Sequence, residues 1–105
     1  MASVNTPSAK EANELLDEMQ RGAFKYFLEK TNSDTGLVLD STWKDSPSSI
    51  AAVGFGLAVL PVSVERGWIS RDDAVERIVT TLRFFANSHQ GPESDGTGYQ
   101  GFYYH

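Results

Sequence analysis

Apolar residues recur at three- and four-residue steps through Ala12, Leu15, Leu16, Met19, Ala23, Phe24, Phe27 and Leu28. That is the period of one helix face. Glu11, Glu14, Asp17, Glu18, Arg21 and Lys25 take most of the positions between them. The pattern predicts a one-sided amphipathic helix over about 9–30. Ser8, with Glu11 three residues on, has capping-box spacing and marks its start.

A second helical segment, about 49–66, has no polar face. Ile50, Ala51, Ala52, Val53, Phe55, Leu57, Ala58, Val59, Leu60 and Val62 point all round a helical wheel, and a helix of that kind is expected to be buried on every side. Gly54 and Gly56 lower its helix propensity, which predicts close approach of a neighbouring backbone or a ligand. Pro61 removes one helical hydrogen bond and should bend the helix. Gly67 stands where a C-terminal cap is needed, and Trp68 can fold back over it. A third helix opens at Ser70, with Asp72, Asp73 and Glu76 favoured at its positive end. Its stripe is Ala74, Val75, Ile78, Val79, Leu82, Phe85 and Ala86, ending near Asn87 or Ser88.

Four residues, 66–69, join the second and third helices, so these must be antiparallel neighbours. The two remaining segments, 31–48 and 89–105, are long for a compact domain, which marks them as functional or disordered; their aromatic content predicts order. Two amphipathic neighbours cannot cover a helix that is apolar all round. The expectation is either self-association through the second helix or further helices to complete the core. The final run, Gly101-Phe102-Tyr103-Tyr104-His105, has no polar cap and reads as cut, so the native protein is expected to continue. Residues 1–8 are expected to be a disordered tail, and 9–105 one domain segment.

The totals narrow the function. With 105 residues the chain makes one small domain. A formal net charge of −5 argues against nucleic acid and against a polybasic membrane surface, since phosphates require clustered Lys and Arg. It suits a neutral ligand such as a sugar. There is no cysteine, which excludes disulfides, thiolate metal sites and a Cys nucleophile. The first ten residues carry no apolar core of a signal peptide. The uncharged stretch 46–64 is broken by Pro47, Pro61 and two glycines, so a buried helix is the reading preferred to a membrane span.

Several ordered motifs resemble the glycoamylase-like family. Ser48-Ser49-Ile50-Ala51-Ala52-Val53-Gly54-Phe55-Gly56-Leu57 is followed by Val64-Glu65-Arg66-Gly67-Trp68-Ile69 and Thr80-Thr81-Leu82-Arg83-Phe84-Phe85. Gly98-Tyr99-Gln100-Gly101-Phe102-Tyr103-Tyr104-His105 then closes the series, while Tyr26-Phe27 and Thr35-Gly36-Leu37-Val38 fit the family's opening segment. The resemblance implies an all-α fold, the first part of an (α/α)6 toroid. The second helix would lie in its inner ring and the first and third in its outer ring. It implies glycoside hydrolysis or transfer on glucans, including β-1,2-glucans, with a glucan oligosaccharide or polysaccharide as partner. In two respects the chain departs from the family. Asp40 is followed by Ser41 where the family usually has Arg, and the acidic motif that follows the family's Tyr-His pair is absent, so the catalytic carboxylates are expected beyond residue 105.

Glycoside hydrolysis normally needs two carboxyl groups flanking the scissile bond. Most acids here sit on helix exteriors or near helix N-termini. Asp40 and Asp45, near Trp43, and Glu93 and Asp95, in the glycine-rich loop, are the site candidates among the acids, and capping or solvation accounts for each, so no catalytic residue is assigned. Trp43, Tyr99, Tyr103 and Tyr104 are the candidate sugar platform, since aromatic faces meet apolar sugar faces while Tyr hydroxyls hydrogen-bond. Plain core packing is the competing role for the tyrosines. Asp40 and His105 could hydrogen-bond sugar hydroxyls, and His89 suits a helix C-terminus. The histidines lack metal-ligand spacing, and no metal or cofactor is expected. Gly54-Phe55-Gly56 and Gly96-Thr97-Gly98 follow no strand and precede no Lys-Ser/Thr, so neither is a phosphate loop. The alternative to a glycosidase segment is a stand-alone helical module that binds a carbohydrate or a protein.

Overall fold

The computed structural model describes residues 6–100 and 102–103. Three helices follow in chain order, α1 Ala9–Lys30, α2 Ile50–Glu65 and α3 Arg71–Ala86. The architecture is all-α, with a single ribbon of two short antiparallel strands among the described residues, β1 Gly98–Tyr99 against β2 Phe102–Tyr103. The ribbon falls inside a segment whose sequence predicted only an irregular loop.

Each helix starts on a serine. Ser8, Ser49 and Ser70 are extended, and their side chains accept from the backbone N–H of Glu11, Ala52 and Asp73 respectively. Such a cap is worth about 1 kcal/mol. The end of α2 is a Schellman motif. Trp68 N–H donates to Ser63 O at 2.9 Å and Gly67 N–H to Val64 O at 3.0 Å, with Gly67 at φ +73. The reversal sends Trp68 onto α1, where its ring stacks on Phe24 with centroids 5.5 Å apart. Arg66 reaches Asp17 of α1 at 3.2 Å. Both contacts fix α1 and α2 as antiparallel neighbours, as the short turn does for α2 and α3.

The core is small. Phe24, Val38, Val53, Leu60 and Ala74 are its buried apolar residues, and Ser63 and Thr81 are buried beside them. Both hydroxyls turn back onto their own helix, Ser63 to Val59 O at 2.7 Å and Thr81 to Arg77 O at 3.1 Å. Neither is thereby left as an unpaired polar group in the interior. Val38, a loop residue only 2% exposed, plugs the space between the helices. A Cβ on Gly56 would stand 3.1 Å from Val38 Cγ2 and 3.5 Å from Phe27 Cδ1, so close packing explains that glycine. Gly54 has nothing within 4 Å of such a Cβ, and here no neighbour approaches.

α2 is left open along one side, as expected of a helix that is apolar all round and has only two amphipathic neighbours. Phe55 is 66% and Val62 48% exposed, and Ala51, Gly54, Ala58 and Pro61 are exposed with them. The reason is geometric, since α1 and α3 cover only the side that carries Val53, Gly56, Leu60 and Ser63. The stripe of α1 is likewise only half used. Phe24 is buried, whereas Leu15, Leu16 and Met19 are 55–62% exposed. At about 1.5 Å per residue, 22 residues of α1 outreach the 16 of α2, and the excess lies at the N-terminal end. Val75 and Leu82 of α3 are exposed too. The radius of gyration, 18.1 Å, exceeds the about 13 Å of a compact domain near this length.

Candidate functional site

Antiparallel packing sorts the connections. The tight turn after α2 lies at one end of the helices. Both long segments, 31–48 and 87–100, lie at the other, beside the N-terminus of α2 and the C-termini of α1 and α3. All of the site residues expected from the sequence belong to the loop end or follow it in the chain.

The segment 31–48 is ordered by its own polar groups. The Asn32 side chain accepts from the N–H groups of Asp34 and Thr35 at 2.8 and 3.1 Å, and Gly36 N–H donates to Asn32 O at 2.8 Å. Bridges pair Thr31 with Val38 and Leu39 with Ser48. The Tyr26 hydroxyl of α1 donates to Leu39 O, which ties the loop to the helix before it. Beyond this base, residues 40–47 form a closed lobe. Asp40 N–H donates to Pro47 O at 2.8 Å, Ser46 N–H to Trp43 O at 3.1 Å, and Ser41 N–H to Ser46 Oγ at 3.0 Å.

The segment after α3 closes on itself as well. Thr97 donates its N–H and its hydroxyl to His89 O at 2.9 and 2.8 Å. Gly91 N–H donates to Gly98 O at 3.0 Å. His89 Nε2 and Glu93 Oε2 lie 2.9 Å apart. Between the two segments opens a cleft of about 230 Å³ at the N-terminus of α2, walled by Leu37, Ser49, Ile50, Phe85, Thr97 and Tyr103 among others.

Of the expected site residues, Trp43 stands at the lobe with its side chain out, 82% exposed, and Asp40 is exposed at the lobe's base. Tyr103 faces the cleft but is half-buried. Its ring meets Phe85 edge-on, centroids 4.6 Å apart, and its hydroxyl donates to Phe85 O at 3.1 Å. Tyr99 takes its place in β1. Tyr104 and His105 lie outside the described residues. Trp43 and Asp40 share the lobe, but neither joins Tyr103 in the cleft wall. Sequence reasoning missed Leu37, Phe85 and Thr97 as wall residues. The motif Gly96-Thr97-Gly98 was the one available signal, because a threonine between glycines in a tight loop has little else to do than cap it.

One loop carboxyl has a displaced titration. The hydrogen bond from His89, followed by one from Glu93's own backbone, holds the Glu93 carboxyl below its usual 4.5. A general acid working near neutral pH needs the opposite displacement. Among the described residues no three His, Cys, Asp or Glu side chains converge as metal ligands would. No described helix is long and apolar enough to cross a membrane.

No family model matches the chain. Among curated proteins it is similar to an exo β-1,2-glucooligosaccharide sophorohydrolase (non-reducing end) of Parabacteroides distasonis, 30% identical over 90 residues. That stretch is 80% of this chain and 12% of the relative. Among solved structures its backbone matches the crystal structure of a candidate glucoamylase from Bacteroides uniformis. The TM-score is 0.66 at 27% identity, over 80% of this chain and 20% of that one. The chain therefore spans only about an eighth to a fifth of the length of the proteins it matches. In sequence and in backbone alike, its resemblance is to the glycoamylase-like glycoside hydrolases.

Proposed function

We propose that this chain is an arc of a glucan-active (α/α)6 barrel, with α2 in the inner ring and α1 and α3 outside it. In this reading its loop end supplies substrate contacts, and the catalytic carboxylates come from elsewhere in the barrel. The observation that carries the reading is the bare apolar side of α2. Phe55 and Val62 lie open to solvent on a helix without a polar face, in a chain that matches only a small part of two much longer glycosidase-like proteins. The loop acids support the division of labour, since Asp40, Asp45, Glu93 and Asp95 are all exposed and Glu93 is displaced away from general-acid behaviour.

Glucan substrates follow from the activity of the sophorohydrolase relative, and β-1,2-linked oligosaccharides are the first to try. The direct test is reducing-sugar release from β-1,2-glucooligosaccharides and from starch oligosaccharides by the purified chain. No release is expected above a no-protein control. Turnover that is lost in an Asp40→Asn or Glu93→Gln variant would assign catalysis to this chain and overturn the proposal.

A further inference from the structure

Trp43 is the most exposed large apolar side chain of the described residues, at 82%, yet its backbone is not loose. Ser41 Oγ accepts from Trp43 N–H at 3.2 Å, and Trp43 O accepts from Ser46 N–H at 3.1 Å. The lobe is shut behind them by the pairing of Asp40 with Pro47 and of Leu39 with Ser48. Within the turn from 43 to 46, Asp45 adopts φ +61, a left-handed conformation that aspartate tolerates in tight turns. Local hydrogen bonds and a tight turn thus hold an indole out in water. Leaving so large an apolar surface exposed is unfavourable in the free chain, and ordering it in advance lowers the entropic cost of covering it later.

The surroundings specify what covers it. Asp40, Ser41, Lys44 and Asp45 lie on the same lobe, and their charges are mixed, so neither a polyanion nor a polycation is selected. A flat apolar face beside hydroxyl and carboxylate groups suits a neutral ligand with one apolar face and a polar rim. A glucopyranose ring is that ligand, with axial C–H groups on its faces and its hydroxyls around the edge. We infer that Trp43 is a stacking platform for a glucopyranosyl residue, with Asp40 placed at the foot of its lobe to accept from a sugar hydroxyl. The inference rests on the glucan reading above and adds the residue that grips the sugar.

The experiment labels the chain with 5-fluorotryptophan, which gives two ¹⁹F signals because the chain has two tryptophans. Trp68, stacked on Phe24, serves as the internal control. Titration with β-1,2-glucooligosaccharides is expected to shift the Trp43 signal and leave the Trp68 signal in place. By calorimetry, Trp43→Ala should weaken binding about tenfold or more, while Trp43→Tyr retains most of it. Since Trp43 is exposed, far-UV circular dichroism of both variants should match the wild type. If the wild type binds and Trp43→Ala binds equally well, the platform is wrong and the glucan reading stands. If the wild type binds no glucan of any linkage, both are overturned. A Trp43 signal that instead moves with protein concentration makes the indole a protein contact and overturns the platform too.

Discussion

Gly36 presses its bare Cα against Thr81 of α3. A Cβ built on Gly36 would fall 2.0 Å from Thr81 Oγ1 and 2.8 Å from Thr81 Cα, and the residue sits at φ +76. No rotamer change relieves a clash with backbone. This one contact seats the loop that carries Val38 onto the helix whose buried Thr81 faces it, and so joins α3 to the loop end of the molecule.

Gly36→Ala is expected to destabilise the chain by about 1–3 kcal/mol, through the clash and through the left-handed backbone together. Gly54→Ala should do the reverse and add up to about 1 kcal/mol, because it raises helix propensity where nothing lies within 4 Å. Urea melts of both variants at one protein concentration would show the opposite signs. Equal losses in the two would mean that the side of α2 bearing Gly54 is covered in solution.

The open side of α2 should be measurable directly. Phe55→Lys removes an apolar ring that is 66% exposed, so stability should change by no more than about 0.5 kcal/mol. Binding of an apolar-surface dye should fall at the same time. A large loss of stability would place Phe55 in an interface.

Tyr26→Phe deletes the donor that holds Leu39 O and keeps the ring, which packs edge-on against Phe27. A lost neutral hydrogen bond of this kind costs about 1 kcal/mol. The damage should be local. Amide exchange at Asp40, whose N–H is bound to Pro47 O, should speed up more than exchange at Val53 inside α2.

Acid should loosen the segment after α3. Glu93 has a lowered pKa in the folded chain, caused first by the hydrogen bond from His89. The unfolded chain therefore takes up the proton more readily than the folded one. The clasp's contribution is complete above the ordinary carboxylate range and drains away as pH falls through Glu93's folded value. Glu93→Gln should flatten this dependence, followed as exchange of the Thr97 amide between pH 6 and pH 3. An unchanged profile in Glu93→Gln would show that the clasp does not hold the segment.

The helices were legible because their signals are local. Ser8 and Ser70 marked two starts, and Gly67 with Trp68 marked one stop, each through hydrogen bonds spanning six residues or fewer. The partner of Trp68 was not legible, because Phe24 lies 44 positions earlier and nothing in the pattern around either residue names the other. That α1 and α3 alone would leave α2 uncovered was legible, because its apolar positions run all round the wheel. An apolar wheel records what a helix needs, whereas Phe55 and Val62 show what three helices can supply. For the candidate site, the sequence singled out Trp43 and the tyrosines, and the described ones fall at the loop end or in the ribbon that follows it. It could not divide them by role. The inward hydrogen bond of Tyr103 to Phe85 O depends on how β2 folds over α3, which no periodicity encodes.

The clamp at the turn end, Trp68 on Phe24 and Arg66 on Asp17, has a bearing on how such a scaffold can be altered. It fixes the relative placement of α1 and α2 from the side remote from the loops. The lobe 40–47 is closed by its own hydrogen bonds and shares none of that clamp. Its length and composition can therefore be exchanged as a cassette while the helical frame stays in register. A graft of a shorter or longer lobe between Leu39 and Ser48, the paired residues at its base, is the natural unit of redesign.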